Sequence, residues 1–87
     1  MVYVGNLEFG YGRMLMSHMV ADTEEELHLM ADKIGVVRKW YQNKKEDGIP
    51  HYDICKSKKQ LAISFGATQI TDREIVTKFK LREKLEL

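Results

Sequence analysis

Three histidines, His18, His28 and His51, together with Asp22, Asp53 and Cys55, are the residues of this chain whose types suit metal or acid–base chemistry. His51 and Asp53 stand two apart, so in extended backbone both side chains leave the same face. Imidazole and carboxylate on one face could hold Zn²⁺ or another divalent ion, or act as an acid–base pair. Neither His-Glu-x-x-His nor paired Cys-x-x-Cys spacing accompanies them, so no metal ligand and no cofactor is assigned from spacing. His18 falls among Met14, Met16 and Val20, a setting that reads as a hydrogen-bonded core histidine. His28 borders the apolar stripe of a helix and reads as solvent-facing.

A second group is cationic and aromatic. From Val36 to Lys59, seven Lys/Arg face three acids, with Trp40, Tyr41 and Tyr52 interleaved. Lys56, Lys58 and Lys59 surround the expected start of a helix, where unpaired N–H groups and the helix dipole favour an anion. Aromatic rings nearby could stack on a base. The site expected from this pattern comprises Arg13, His18, Arg38, Trp40, His51, Tyr52, Asp53 and Lys58, holding a small phosphorylated ligand. A solvated basic face over an aromatic core is the competing reading. Arg13 ends a loop, Gly5 to Arg13, whose three glycines let backbone approach a ligand but match neither the dinucleotide nor the Walker pattern. Arg13 equally suits a pairing with the acids between Asp22 and Glu26. Ser17, Ser57 and Ser64 lack a nucleophile-elbow context, and Cys55 beside Lys56 suits a small buried thiol.

The elements that must position these groups announce themselves by capping. Thr23-Glu24-Glu25-Glu26, Ser57-Lys58-Lys59-Gln60 and Thr71-Asp72-Arg73-Glu74 each read as a capping box. The first helix carries Leu27, Met30, Ala31 and Ile34 and stops at Gly35. The second carries Leu61, Ala62 and Phe65 and stops at Gly66. The third carries Ile75, Val76 and Phe79. Strands are expected at Met1–Val4, Arg13–Val20, Val36–Tyr41, Tyr52–Cys55 and Ala67–Ile70, with turns at Gly10-Tyr11-Gly12 and Asp47-Gly48. Along Arg13–Val20, the alternation puts Met14, Met16, His18 and Val20 on one face. The expected fold class is α+β, a small mixed β-sheet packed by about three helices as a single layer pair, in one domain over residues 1–87.

Composition narrows the function classes. A chain that is 44% hydrophobic and 31% charged is globular rather than disordered. Its formal net charge of +1 gives no global pull towards nucleic acid or anionic membrane. No apolar run approaches the ~18 residues needed to span a bilayer. No secretory signal is read at the start, and the lone Cys55 forms no internal disulfide, so the expected location is cytoplasmic. A core this small makes a homo-oligomer an expectation.

Residues in order along the chain resemble a known family. They are Tyr3-Val4, Gly12-Arg13-Met14, His18-Met19, Ala21-Asp22-Thr23, Glu26-Leu27-His28, Met30-Ala31, Ile34-Gly35, Arg38, Trp40, His51-Tyr52-Asp53-Ile54, Ser57-Lys58 and Gly66-Ala67. The pattern is similar to a small domain of unknown function found in bacteriophages and bacteria. That family usually opens Tyr-Val-Asp-Asp, where this chain has Tyr3-Val4-Gly5-Asn6. The resemblance implies a phage-type protein working in a host cytoplasm. The loss of two acids tilts the expectation towards binding without turnover. The expected function is therefore a nucleotide-binding protein, with sequestration of a host defence signal as its concrete form. The alternatives are a metal-dependent phosphoester hydrolase using His18, His51 and Asp53, and an interaction protein docking on a host protein or nucleic acid.

Overall fold

Alternating side chains and well-placed caps build five strands and three helices. A computed structural model describes residues 1–44 and 48–86. The elements are β1 (Val2–Gly5), β2 (Phe9–Tyr11), β3 (Met14–Ala21), α1 (Glu24–Ile34), β4 (Tyr52–Cys55), α2 (Lys56–Ser64), β5 (Thr68–Ile70) and α3 (Asp72–Glu86). The fold is α+β with a mixed five-stranded sheet. No helix among the described residues is long and apolar enough to cross a membrane.

β3 is the spine of the sheet. β4 pairs antiparallel with its residues 16–19, and β1 and β2 pair antiparallel with residues 19–21 and 14–16. Met16 and Met19 each have a partner on both sides, so β1 and β2 follow one another along the same edge of β3, opposite β4. β5 adds to β1 in parallel. Residues 6–8 interrupt the β1–β2 edge as a short bulging loop, which becomes important at the site.

The period-2 alternation of these strands separates two faces. Val2, Val4, Met19, Tyr52 and Ile54 face α1 and α2, joining Leu27, Met30, Ala31, Ile34 and Ala62 in one buried core. The opposite face carries Tyr3, Gly5, His18, Val20 and Asp53, and α3 lies over part of it. There Phe79 meets Tyr3 edge to face at 6.1 Å, and Ile75 is buried.

Several expectations are corrected. Val36–Tyr41 is not a strand: Arg38–Trp40 forms a single 3₁₀ turn, and no neighbouring strand pairs with it. Gly10 lies inside β2, and only Gly12, at φ +62°, makes the turn that closes the β2–β3 hairpin. Asp47 and Lys45 lie outside the described residues. α2 begins at Lys56 with Cys55 as its extended cap residue, so Ser57 caps nothing. It is already inside the first turn, where its hydroxyl meets Cys55 Sγ at 3.3 Å. The inner face of α2 is Lys59 and Ala62, while Leu61 and Phe65 are exposed.

The other two caps form. Glu26 N–H donates to Thr23 Oγ1 at 3.1 Å, and Glu74 N–H donates to Thr71 Oγ1 at 3.0 Å. Glu74 Oε1 accepts from Thr71 N–H at 3.2 Å, completing a reciprocal box. This difference is measurable. Thr71→Ala should cost about 1 kcal/mol of stability, as lost caps do, whereas Ser57→Ala should stay within about 0.5 kcal/mol. Urea midpoints of the two variants against the parent chain check both.

Candidate functional site

The second face of the sheet carries a cluster of titratable groups that only the strand register could assemble. His18 on β3 pairs directly with Asp53 on β4, so their side chains rise together. His51 follows two residues before Asp53 and is fixed by a bridge to Gln42, with which it exchanges both backbone hydrogen bonds. Side-chain donors of His18, His51 and Asp53 all lie within 4.8 Å of one another.

Each group is held from behind. His18 Nδ1 donates to Asp53 Oδ1 at 2.9 Å. His51 Nε2 lies 3.3 Å from that same oxygen. The Nδ1 of His51 is 2.6 Å from Ile49 O, which can only accept, so Nδ1–H donates there and Nε2 is turned into the cluster. Gln42 Nε2 donates to Asp53 Oδ2 at 2.8 Å, leaving Oδ1 for the imidazoles. His18 Nε2 points away towards Asp72 Oδ2, 3.8 Å off. Phe9 packs on the His18 ring at 4.9 Å, and His51 meets it edge-on at 5.0 Å.

Partial burial of Asp53 opposes its ionisation, but hydrogen bonds from His18, His51 and Gln42 outweigh that and hold its carboxyl well below the usual carboxylate range. A carboxylate oxygen facing two imidazole nitrogens calls for positive charge between them. A proton or a divalent cation supplies it. N and O ligands at ~2.0–2.2 Å around a tetrahedral ion stand about 3.3–3.6 Å apart. Asp53 Oδ1 stands 2.9 and 3.3 Å from the two ring nitrogens, and the three atoms lie within 4.8 Å of one another, close enough to share one proton or one ion. His18 has 36% of its side chain exposed, so the cluster opens to solvent on that side.

Of the residues expected from sequence, His18, His51 and Asp53 converge. The others stand elsewhere. Arg13 is exposed in the β2–β3 turn and forms no ion pair with the acids of Asp22–Glu26 among the described residues. Arg38 grips Asp32 through two nitrogens, at 2.8 and 3.3 Å. Trp40 is 59% exposed, with Lys39 Nζ over its ring at 5.2 Å. Tyr52 is fully buried on the core face, where its hydroxyl meets His28 Nδ1 at 2.7 Å. His28 is accordingly tied to Tyr52 and to Glu24 rather than left to solvent. Lys58 Nζ lies at the C-terminal end of α1, 3.2 Å from where a Cβ on Gly35 would be, a favourable place for a cation at a helix end.

Asp72, Gln42, Phe9 and Gly5 complete the surroundings but stand outside the site expected from sequence. Asp72 reads there as part of the Thr71 capping box, Gly5 and Phe9 as members of the Gly5–Arg13 loop, and Gln42 carries no local signal. The departure at Gly5-Asn6 was the one visible clue. A Cβ placed on Gly5 would overlap Asp72 Oδ1, so the carboxylate of Asp72 occupies space that an acid at position 5 would need.

The profile of one protein family, described as "Protein of unknown function (DUF4031)", matches residues 2–82. No curated protein and no solved structure gives a match.

The depressed carboxyl of Asp53 sets a sign for pH dependence. Its stabilising contribution is fully present above the unfolded value of about 3.9 and is lost as pH falls towards the lower folded value. The stability gap between the parent chain and Asp53→Asn should therefore be full above about pH 5 and shrink steadily on acidification below about pH 4. Urea denaturation at stepped pH reads it; a gap that widens towards low pH would contradict the assignment.

Proposed function

Because the chain belongs to the DUF4031 family, described only as a protein of unknown function, we propose from its own geometry that it binds a divalent metal ion through His18, His51 and Asp53 and hydrolyses phosphoesters. The observation that carries this reading is that all three groups are held by their far atoms. Ile49 O takes His51 Nδ1–H, Gln42 holds Asp53 Oδ2, and the Asp72 carboxylate faces His18 Nε2. Outer partners of this kind orient ligands and fix histidine tautomers. A mixed imidazole–carboxylate set suits Zn²⁺ and its neighbours better than Mg²⁺ or Ca²⁺. Three protein ligands with one exposed side match a centre that keeps a position open rather than a closed structural site.

A metal held by His18, His51 and Asp53 would supply a water nucleophile near neutral pH for attack at phosphorus, with the bond to the leaving oxygen breaking and the water's proton passing to the leaving alcohol or the buffer. Two of the ligands, His51 and Asp53, sit inside the segment Val36–Lys59, in which seven Lys/Arg face three acids.

The ligand-holding reading, in which a phosphorylated nucleotide is bound without turnover, stands second. The carboxyl–imidazole cluster also offers hydrogen bonds to such a ligand. The cationic and aromatic members of the expected pocket, however, are divided between Asp32, the core and solvent. Docking on a host partner, phage origin and self-association are proposals of the same standing, with no residue of the cluster to favour them.

Metal binding decides between the first two. Tag-free protein titrated with Zn²⁺ should take up one ion per chain, and at ~100-fold excess over Kd the ion should add about 2.7 kcal/mol of stability. His51→Ala and Asp53→Ala should abolish that uptake and any Zn²⁺- or Mn²⁺-dependent cleavage of bis(p-nitrophenyl) phosphate. Unchanged uptake in both variants, or none in the parent chain, would end the metal reading.

A further inference from the structure

The acid nearest the cluster that belongs to none of its three ligands is Asp72, and its surroundings are unusual for a residue in the first helical turn. Acids there are ordinarily explained by the helix dipole. Here the carboxylate turns back from the helix to the β1–β2 loop. Asp72 Oδ1 accepts from Leu7 N–H at 3.2 Å, and Asp72 N–H donates to Asn6 Oδ1 at 2.9 Å. Three consecutive loop residues thus have separate tasks. Gly5 leaves room for the carboxylate, Asn6 holds the helix start, and Leu7 orients one carboxylate oxygen. The other oxygen, Oδ2, is left facing His18 Nε2 at 3.8 Å. Only 17% of the side chain is exposed.

The two nitrogens of an imidazole point in different directions, so a ring that ligates through Nδ1 must present Nε2–H elsewhere. We infer that Asp72 is a positioning residue for His18, fixing its ring with Nδ1 towards Asp53 and His51, and that Gly5 is required because any larger residue displaces the Asp72 carboxylate. This rests on the metal reading above. At 3.8 Å the carboxylate acts through its charge on the Nε2 side of the ring, which leaves the Nδ1 side turned into the cluster. The acid reaches the histidine from the start of α3 rather than from β1, so the site closes only when α3 docks on the second face of the sheet.

The test compares four variants by Zn²⁺ affinity, measured by competition with a chromophoric chelator, with folding checked by thermal melts. Asp72→Ala should weaken Zn²⁺ binding by about 10- to 100-fold, the usual cost of losing an outer-shell partner. Gly5→Ala should show a loss of the same order, and the Gly5→Ala/Asp72→Ala double variant no more than the larger single loss, because both act through one carboxylate. Asn6→Ala loosens the same helix start without touching the carboxylate, and its affinity should stay within about twofold of the parent chain.

A spectroscopic signature separates positioning from mere packing. In the Zn²⁺-loaded protein, the His18 Nε2–H should give a slowly exchanging imidazole resonance in the parent and in Asn6→Ala, lost in Asp72→Ala. An unchanged affinity in Asp72→Ala, an equal loss in Asn6→Ala, or a His18 resonance indifferent to Asp72 would overturn the proposal while leaving the metal site standing. A parent chain that binds no Zn²⁺ would sink the metal reading itself, and this role with it.

Discussion

Antiparallel pairing of β3 with β4 puts His18 opposite Asp53 and Ser17 opposite Ile54, and nearly everything else follows from that register. With a side-chain period of two, a one-residue slip of β4 against β3 would turn Asp53 into the core and bring Tyr52 and Ile54 out. The cost of exposing that core locks the register. The polar cluster on the opposite face is therefore held in place by apolar contacts it never touches. Burial of Tyr52, Met19 and Ile54 against α1 and α2 is the structural reason that His18, His51 and Asp53 can be brought together at all.

The cluster is also a problem of charge. Burying even part of a carboxylate favours its neutral form, and Asp53 overcomes this only because three donors converge on it. The two imidazoles share one oxygen, Oδ1, while Gln42 occupies the other. Such an arrangement is stable when positive charge resides between the rings and the carboxylate. On the metal reading proposed above, a proton and a metal ion would compete for that position, and uptake of the ion would be coupled to proton release.

α3 links the two features. Its docking buries Ile75 and sets Phe79 against Tyr3, yet it covers only part of the second face. The uncovered part is where His18 remains open to solvent. The start of the helix, where Leu7 N–H orients the carboxylate, delivers Asp72 to the rim of the cluster. Full coverage would have buried the cluster away from solvent. Absence of the helix would have removed the acid behind His18.

By itself the sequence determined the local and periodic features. The Thr23 and Thr71 boxes, the helix stop at Gly35 and the shared face of Met16, His18 and Val20 depend on spacing within a few residues, and spacing is what a sequence displays. The same was true of His51 and Asp53, two apart on extended chain. Ser57 misled because a hydroxyl one residue inside a helix looks the same in sequence as one at its start. Val36–Tyr41 misled because β-propensity is a weak local preference that tertiary context overrides, here with a 3₁₀ turn at Arg38–Trp40. Tertiary structure alone decided that Arg38, Trp40, Tyr52 and Lys58 go to different surroundings, that His18 reaches Asp53 across 35 residues, and that Asp72 fills the space beside Gly5. Those outcomes depend on which strands are neighbours and which face a helix covers. Both are set by the summed burial of the whole core, a quantity that no short stretch of chain contains.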